Sequence, residues 1–168
     1  MSGVRQAHPL GPLVFRLEAR RPVVARLWAA AVALGCLALL GLSRWLEPDP
    51  RGLGTHEQLG GWQCVVPLVT GYPCPTCGMT TAFAHTVRGQ WGAAFHAQPA
   101  GLVLCLAVMA AAGLALGVLA SGKTWHLNWY RVSPAWVPLA VLGLLLLGWG
   151  YKIAAGLLDG SLPVAPGL

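Results

Sequence analysis

The amino-acid sequence predicts an all-α integral membrane protein: three transmembrane helices, with an amphipathic helix in the first loop that lies on the membrane surface or re-enters it. Three observations lead there. Hydrophobic residues make up 56% of the 168 and charged residues only 10%, where a soluble domain carries roughly 25% charged. The apolar residues fall in three long blocks, each near the ~20 residues that cross a hydrocarbon core of about 30 Å. Between the first two blocks lies a long connection, broken by proline and glycine, that holds Cys64, Cys74 and Cys77.

Residues 1–22 form a basic arm with Arg5, Arg16, Arg20 and Arg21. Pro9, Gly11 and Pro12 argue against a continuous helix there, leaving an amphipathic turn or two over Leu13 to Arg21. The membrane domain, 23–158, follows. Its first span, 23–42, has Trp28 and Trp45 at its ends, and its apolar run is longer than the ~7–15 residues of a signal-peptide core. Cys36 inside it reads as a buried, inert thiol. The cysteine-containing loop, 43–98, opens on Glu47-Pro48-Asp49-Pro50-Arg51-Gly52, a turn composition. Gly61 to Gly71 is too short and too broken to span and reads as an interfacial or re-entrant piece.

Pro75 to about Val87 reads as a helix that lies on the interface without spanning. Cys74 falls at its N-cap, Pro75 in its first turn, and Arg88-Gly89 at its stop. On a wheel of about 100° per residue, Cys74, Cys77, Thr81, His85 and Arg88 share one stripe. A further turn or two of helix over 90–97 precedes Pro99. The second span, 99–120, carries no charge. Its Gly113-x-x-x-Gly117 reads as close packing inside the bundle, and its Cys105 as a buried small apolar residue. A short loop, 121–133, leads to the third span, 134–151 or on to 158, with Lys152 near its end snorkelling to the interface. Residues 159–168 are a C-terminal tail.

The formal net charge is +6, from 11 Lys+Arg against 5 Asp+Glu. No base-reading or stacking module accompanies it, so nucleic acid is not an expected partner. The bilayer is, with a membrane-protein partner as a further possibility. With a cytoplasmic N-terminus, Arg5, Arg16, Arg20, Arg21, Arg26, Lys123 and Arg131 lie inside and Arg44, Arg51, Arg88 and Lys152 outside, seven against four. The positive-inside rule therefore puts the Cys74–Cys77 loop on the outer face, the oxidising side in a bacterium.

Chemistry concentrates in Cys74-Pro75-Thr76-Cys77-Gly78. Two cysteines two residues apart can bind metal, form a disulfide or exchange one. Cys64 adds a third thiol, since Thr70-Gly71-Tyr72-Pro73 can fold the chain back and Gly71 tolerates positive φ. Zinc is the candidate cofactor, on Cys64, Cys74 and Cys77, although it normally takes four ligands. His85 sits about 16 Å along a helix from Cys74 and cannot share an ion with both thiols. No single reaction follows. The readings that stay open are a structural, accessory or partner-binding role built on the cluster, metal binding, and thiol–disulfide exchange with Cys74 and Cys77 as the catalytic candidates. No enzymatic activity is assigned.

The run Thr70-Gly71-Tyr72-Pro73-Cys74-Pro75-Thr76-Cys77-Gly78-Met79-Thr80, with Cys64 before it and Gly89 and Pro99 after it, resembles an uncharacterised family of bacterial membrane proteins, the "domain of unknown function 2752" family. The resemblance implies a multi-pass protein of the bacterial inner membrane and makes Gly71, Pro73, Pro75, Gly78 and Thr80 motif positions. It implies no activity. Thr81 stands where that family usually has arginine, which weakens a thiolate or anion role at the site. Gln90 stands in place of an acid, and Gln98 in place of asparagine.

Overall fold

The computed structural model describes residues 14–18, 22–52, 54–60, 64–127 and 135–162. Most of the basic arm, Trp62, Arg131 and the end of the tail lie outside the described residues. Three helices are long and apolar enough to cross a membrane: α1 (Pro22–Trp45), α5 (Pro99–Ser121) and α6 (Trp136–Leu158). At 1.5 Å per residue each reaches about 35 Å. Their outward side chains are apolar and open, Leu147 being 77% and Leu158 87% exposed. Such surfaces suit lipid and not water, so the chain is a multi-pass membrane protein, as expected.

The described residues between 46 and 98 fold into a cap on one end of the bundle. In order it comprises a 3-10 turn (Thr55–Leu59), α2 (Val65–Thr70), α3 (Met79–Thr86) and α4 (Trp91–Ala97). Small residues let the cap sink onto the spans. Ala82, Ala84 and Ala100 are fully buried. A Cβ at Gly101 would stand 2.7 Å from the Ala82 Cβ, and one at Gly148 only 3.2 Å from the Ala100 Cβ. Glycine at both positions thus lets α3, α5 and α6 approach closely where the cap meets the membrane.

Four details differ from expectation. Within the stretch read as an amphipathic turn or two, the described residues are a strand: β1 (Val14–Glu18) pairs antiparallel with β2 (Lys123–Leu127) at the other end of the bundle. Both runs carry β-favouring residues, and pairing satisfies backbone groups that a lone helical turn would leave open. The helix after the cysteines starts at Met79, not at Pro75, because Gly78 before it is left-handed at φ 86°. Gly113 and Gly117 have nothing within 4 Å of their Cβ positions, so they do not mediate packing among the described helices. Cys36 is part-exposed on α1, whereas Cys105 is buried as expected.

Arg88 ties the cap to the first span. Its guanidinium donates to the carbonyls of Ser43 (3.2 Å), Arg44 (2.7 Å) and Leu46 (2.7 Å) at the end of α1, and to Ala84 (2.7 Å) in α3. A helix C-terminus has unpaired carbonyls and partial negative charge, which a cation satisfies. Charged hydrogen bonds contribute about 1.5–3 kcal/mol each and are not additive. Arg88→Met is therefore expected to cost about 2–4 kcal/mol, with Arg88→Lys falling between it and wild type. Thermal unfolding in detergent measures this; a methionine variant within about 0.5 kcal/mol of wild type would show the contacts to be idle.

Candidate metal centre

Cys64 is the extended N-cap residue of α2 (φ −63°, ψ 119°). Gly71 ends that helix in a left-handed conformation at φ 72°, its N–H bonding to the Pro67 carbonyl at 2.9 Å. Thr70 Oγ1 then accepts from the Tyr72 N–H at 3.1 Å, and the chain doubles back. This is the reversal expected at Thr70 to Pro73.

Cys74 to Gly78 forms two overlapping turns. Cys77 N–H bonds to the Cys74 carbonyl at 3.0 Å, and Met79 N–H to the Thr76 carbonyl at 3.1 Å. The thiols thus sit on a knuckle ahead of the helix, and the single stripe expected with Thr81, His85 and Arg88 does not form. Thr81 is buried and hydrogen-bonded to Thr55 Oγ1 at 2.8 Å. His85 Nδ1 pairs with Gln90 Oε1 at 2.6 Å, and Arg88 serves α1.

The carbonyls of the knuckle are pinned from outside it. Trp149 Nε1 donates to Pro73 O at 2.7 Å, Gln98 Nε2 to Pro75 O at 2.8 Å, and Lys152 Nζ to Cys77 O at 3.2 Å. Gln98, in the position where the resemblance expects asparagine, therefore still serves the motif with its amide. Lys152 does not snorkel. It turns inward, because three carbonyls converge on its ammonium there. Neither Lys152 nor Trp149 is a site residue in the sequence reading. The available signal was a lysine inside an otherwise apolar helix, which is costly unless it has partners.

The three sulfurs meet. Sγ of Cys64 lies 3.8 Å from both Cys74 Sγ and Cys77 Sγ, and Cys74 Sγ lies 2.9 Å from Cys77 Sγ. All three fall within 4.8 Å of one another and can hold a metal ion. Around an ion with metal–sulfur distances near 2.3 Å, tetrahedral geometry sets neighbouring sulfurs about 3.8 Å apart. Two of the three separations match, and the third needs to open by under about 1 Å, so the donor set fits a soft or borderline ion. No histidine, carboxylate or fourth thiol completes the group among the described residues.

Burial opposes ionisation of Cys74, but hydrogen bonds from Cys77 and Thr76 outweigh it and bring its pKa down to about 7. Cys77 is more enclosed; burial, and then the hydrogen bond it gives to Cys74, push it up to about 12. Without metal, Cys74 is therefore the sulfur of the pair that ionises first, through neutral pH, while Cys77 stays a thiol. Beside the knuckle, a cavity of about 500 Å³ opens between the 49–52 turn, α4 and the end of α6. Lys152, His85, His96 and Asp159 line it. The turn on its rim is held by Arg51, whose hydrogen bonds keep Asp49 below the usual carboxylate range.

Fold and site together define a small three-span membrane protein whose cap carries a cluster of three thiols. A model of the family described as protein of unknown function (DUF2752) matches residues 59–112, from just before Cys64 into the middle of α5. This is the family expected from the run around Cys74. No curated protein and no solved structure matches the chain.

Proposed function

We propose that the protein holds a zinc ion on the thiolates of Cys64, Cys74 and Cys77, and that this centre makes the cap a rigid accessory surface on the membrane for a partner protein. The observation that carries the reading is the meeting of three sulfurs from two separate segments, the start of α2 and the knuckle before α3, with two of their three separations at the 3.8 Å of a tetrahedral ion and the third, 2.9 Å, short of it. Zinc would cross-link those segments and supply a Lewis-acidic position open to water or to a donor from the partner. Metal analysis of protein purified in detergent tests this, with about one zinc per chain expected. Metal-free protein that takes up none on reconstitution would overturn the reading.

Thiol–disulfide exchange is the second reading, favoured by the 2.9 Å contact and the unequal ionisation of the pair. Cys74 would attack a partner's disulfide and Cys77 would then displace the partner's thiolate, leaving a Cys74–Cys77 disulfide and a partner reduced by two electrons. Intact mass separates the readings, since the disulfide form is lighter by two hydrogens and blocks alkylation of both sulfurs.

The location that goes with this reading is the bacterial inner membrane, N-terminus cytoplasmic and cap on the outer face. The seven-to-four distribution of basic residues supports it. Reporter fusions after Gly54 and Ser121 are expected on opposite sides, Gly54 outside. Cytoplasmic activity of the Gly54 fusion would invert the orientation.

A further inference from the structure

We propose that Lys152 is the counter-charge and positioning residue of the thiolate centre, an assignment that rests on the zinc reading above. Lys152 lies in the last third of α6, an apolar span, yet its side chain is directed into the cap. Nζ donates to the carbonyls of Ala97 (2.8 Å), Gly52 (3.1 Å) and Cys77 (3.2 Å). An ammonium has three protons, and each finds an acceptor on a different segment: the end of α4, the 49–52 turn and the knuckle. Lys152 therefore has no donor left for a further ligand, and its hydrogen-bonding role is complete.

Its charge is not balanced. Carbonyl oxygens supply dipoles, and no carboxylate reaches Lys152 among the described residues, where the ion pairs are those of Arg51 with Asp49 and Glu57. A cation only partly open to water, at the edge of a bilayer, is favoured by a nearby anion. Asp159 shares the cavity but makes no ion pair with Lys152; the anion reached through the Cys77 contact is the centre itself. Three thiolates around one divalent ion carry a net charge of −1, and Lys152 brings the assembly to zero. Through the Cys77 carbonyl the same ammonium also fixes the orientation of one of the three sulfur-bearing residues. Partners that orient ligands in this way typically change metal affinity about 10- to 100-fold when removed.

The test compares wild type, Lys152→Arg and Lys152→Gln, each as the full chain in detergent, for zinc affinity by competition with a chromophoric chelator. The thiolate-to-metal charge-transfer bands of the cobalt(II)-loaded form provide the second readout. Lys152→Gln is expected to bind zinc about 10- to 100-fold more weakly with shifted cobalt bands, and Lys152→Arg, which keeps the charge, to stay within about threefold of wild type. Helix content of the metal-free forms checks folding, and Lys152→Met replaces the glutamine variant should that one not fold. Equal affinity in wild type and a neutral variant overturns the assignment, as does an arginine variant as weak as the glutamine one. Failure of both neutral variants to fold leaves Lys152 a structural pin and likewise overturns it. Wild type that binds no zinc overturns the zinc reading itself, and the inference falls with it.

Discussion

If the three thiols hold zinc as proposed, replacing any one of Cys64, Cys74 or Cys77 with serine is expected to abolish metal binding, whereas Cys36→Ser and Cys105→Ser keep it. With three protein ligands in the cluster among the described residues, none of those residues offers a spare thiol to substitute. Serine's hydroxyl stays protonated near neutral pH and is a poor ligand for a borderline-soft ion. Structural zinc sites contribute apparent binding energies of about 10–16 kcal/mol, so losing one of three ligands is expected to weaken binding by at least ~10³-fold, about 4 kcal/mol. The loss should also appear in stability. Metal that binds only the folded cap stabilises it by about 4 kcal/mol at a thousandfold excess over Kd, so a chelator should lower the unfolding temperature of wild type and leave the three variants unmoved. Metal analysis and thermal unfolding with and without chelator check both outcomes. Full metal content in Cys64→Ser would reduce the centre to a two-cysteine site. Three variants each free of metal beside a wild type equally free of it would leave the thiol-exchange reading.

The parts of this site legible in the sequence are those encoded by neighbours along the chain. The spans show as apolar blocks because lipid removes any need for polar faces. The knuckle shows as Cys-Pro-Thr-Cys-Gly, and the return of Cys64 follows from Gly71, whose φ of 72° only glycine adopts at little cost. Gly78 was the misread signal. Proline at 75 suggests a helix start, but a left-handed glycine three residues later postpones the helix to Met79 and removes both thiols from its stripe. What was not legible depends on acceptors far away in sequence. Arg88 finds the end of α1 more than forty residues upstream, and Lys152 reaches Gly52 a hundred residues away. No spacing rule names a backbone carbonyl as a partner, because every residue has one. The missing arginine at position 81 illustrates the same limit. Its absence suggested a site without a nearby cation, yet Lys152 supplies one from another helix.

Gly78→Ala is expected to disable the centre without touching a sulfur. Gly78 is left-handed at φ 86°, which costs an alanine about 1–2 kcal/mol. The surroundings add more. An alanine Cβ would stand 2.6 Å from the Ala97 carbonyl oxygen, 2.6 Å from Lys152 Nζ and 2.7 Å from the Gly52 carbonyl oxygen. Those are the ammonium and two of the three oxygens it binds, so the methyl group would push apart the contact that joins α6, α4 and the 49–52 turn. Two of the three clashing atoms are backbone and cannot rotate away. The combined expectation is a loss of about 3–5 kcal/mol, read by unfolding in detergent, together with a zinc affinity lowered about 10- to 100-fold. Gly113→Ala is the control. That helical glycine has nothing within 4 Å of its Cβ position, and alanine there is expected to be neutral or to stabilise by up to about 1 kcal/mol. A Gly78→Ala protein within about 1 kcal/mol of wild type and still carrying its zinc would mean that the knuckle and the Lys152 contact can be uncoupled, and that the cap is held by Arg88 and the small-residue packing of α3 on α5 instead.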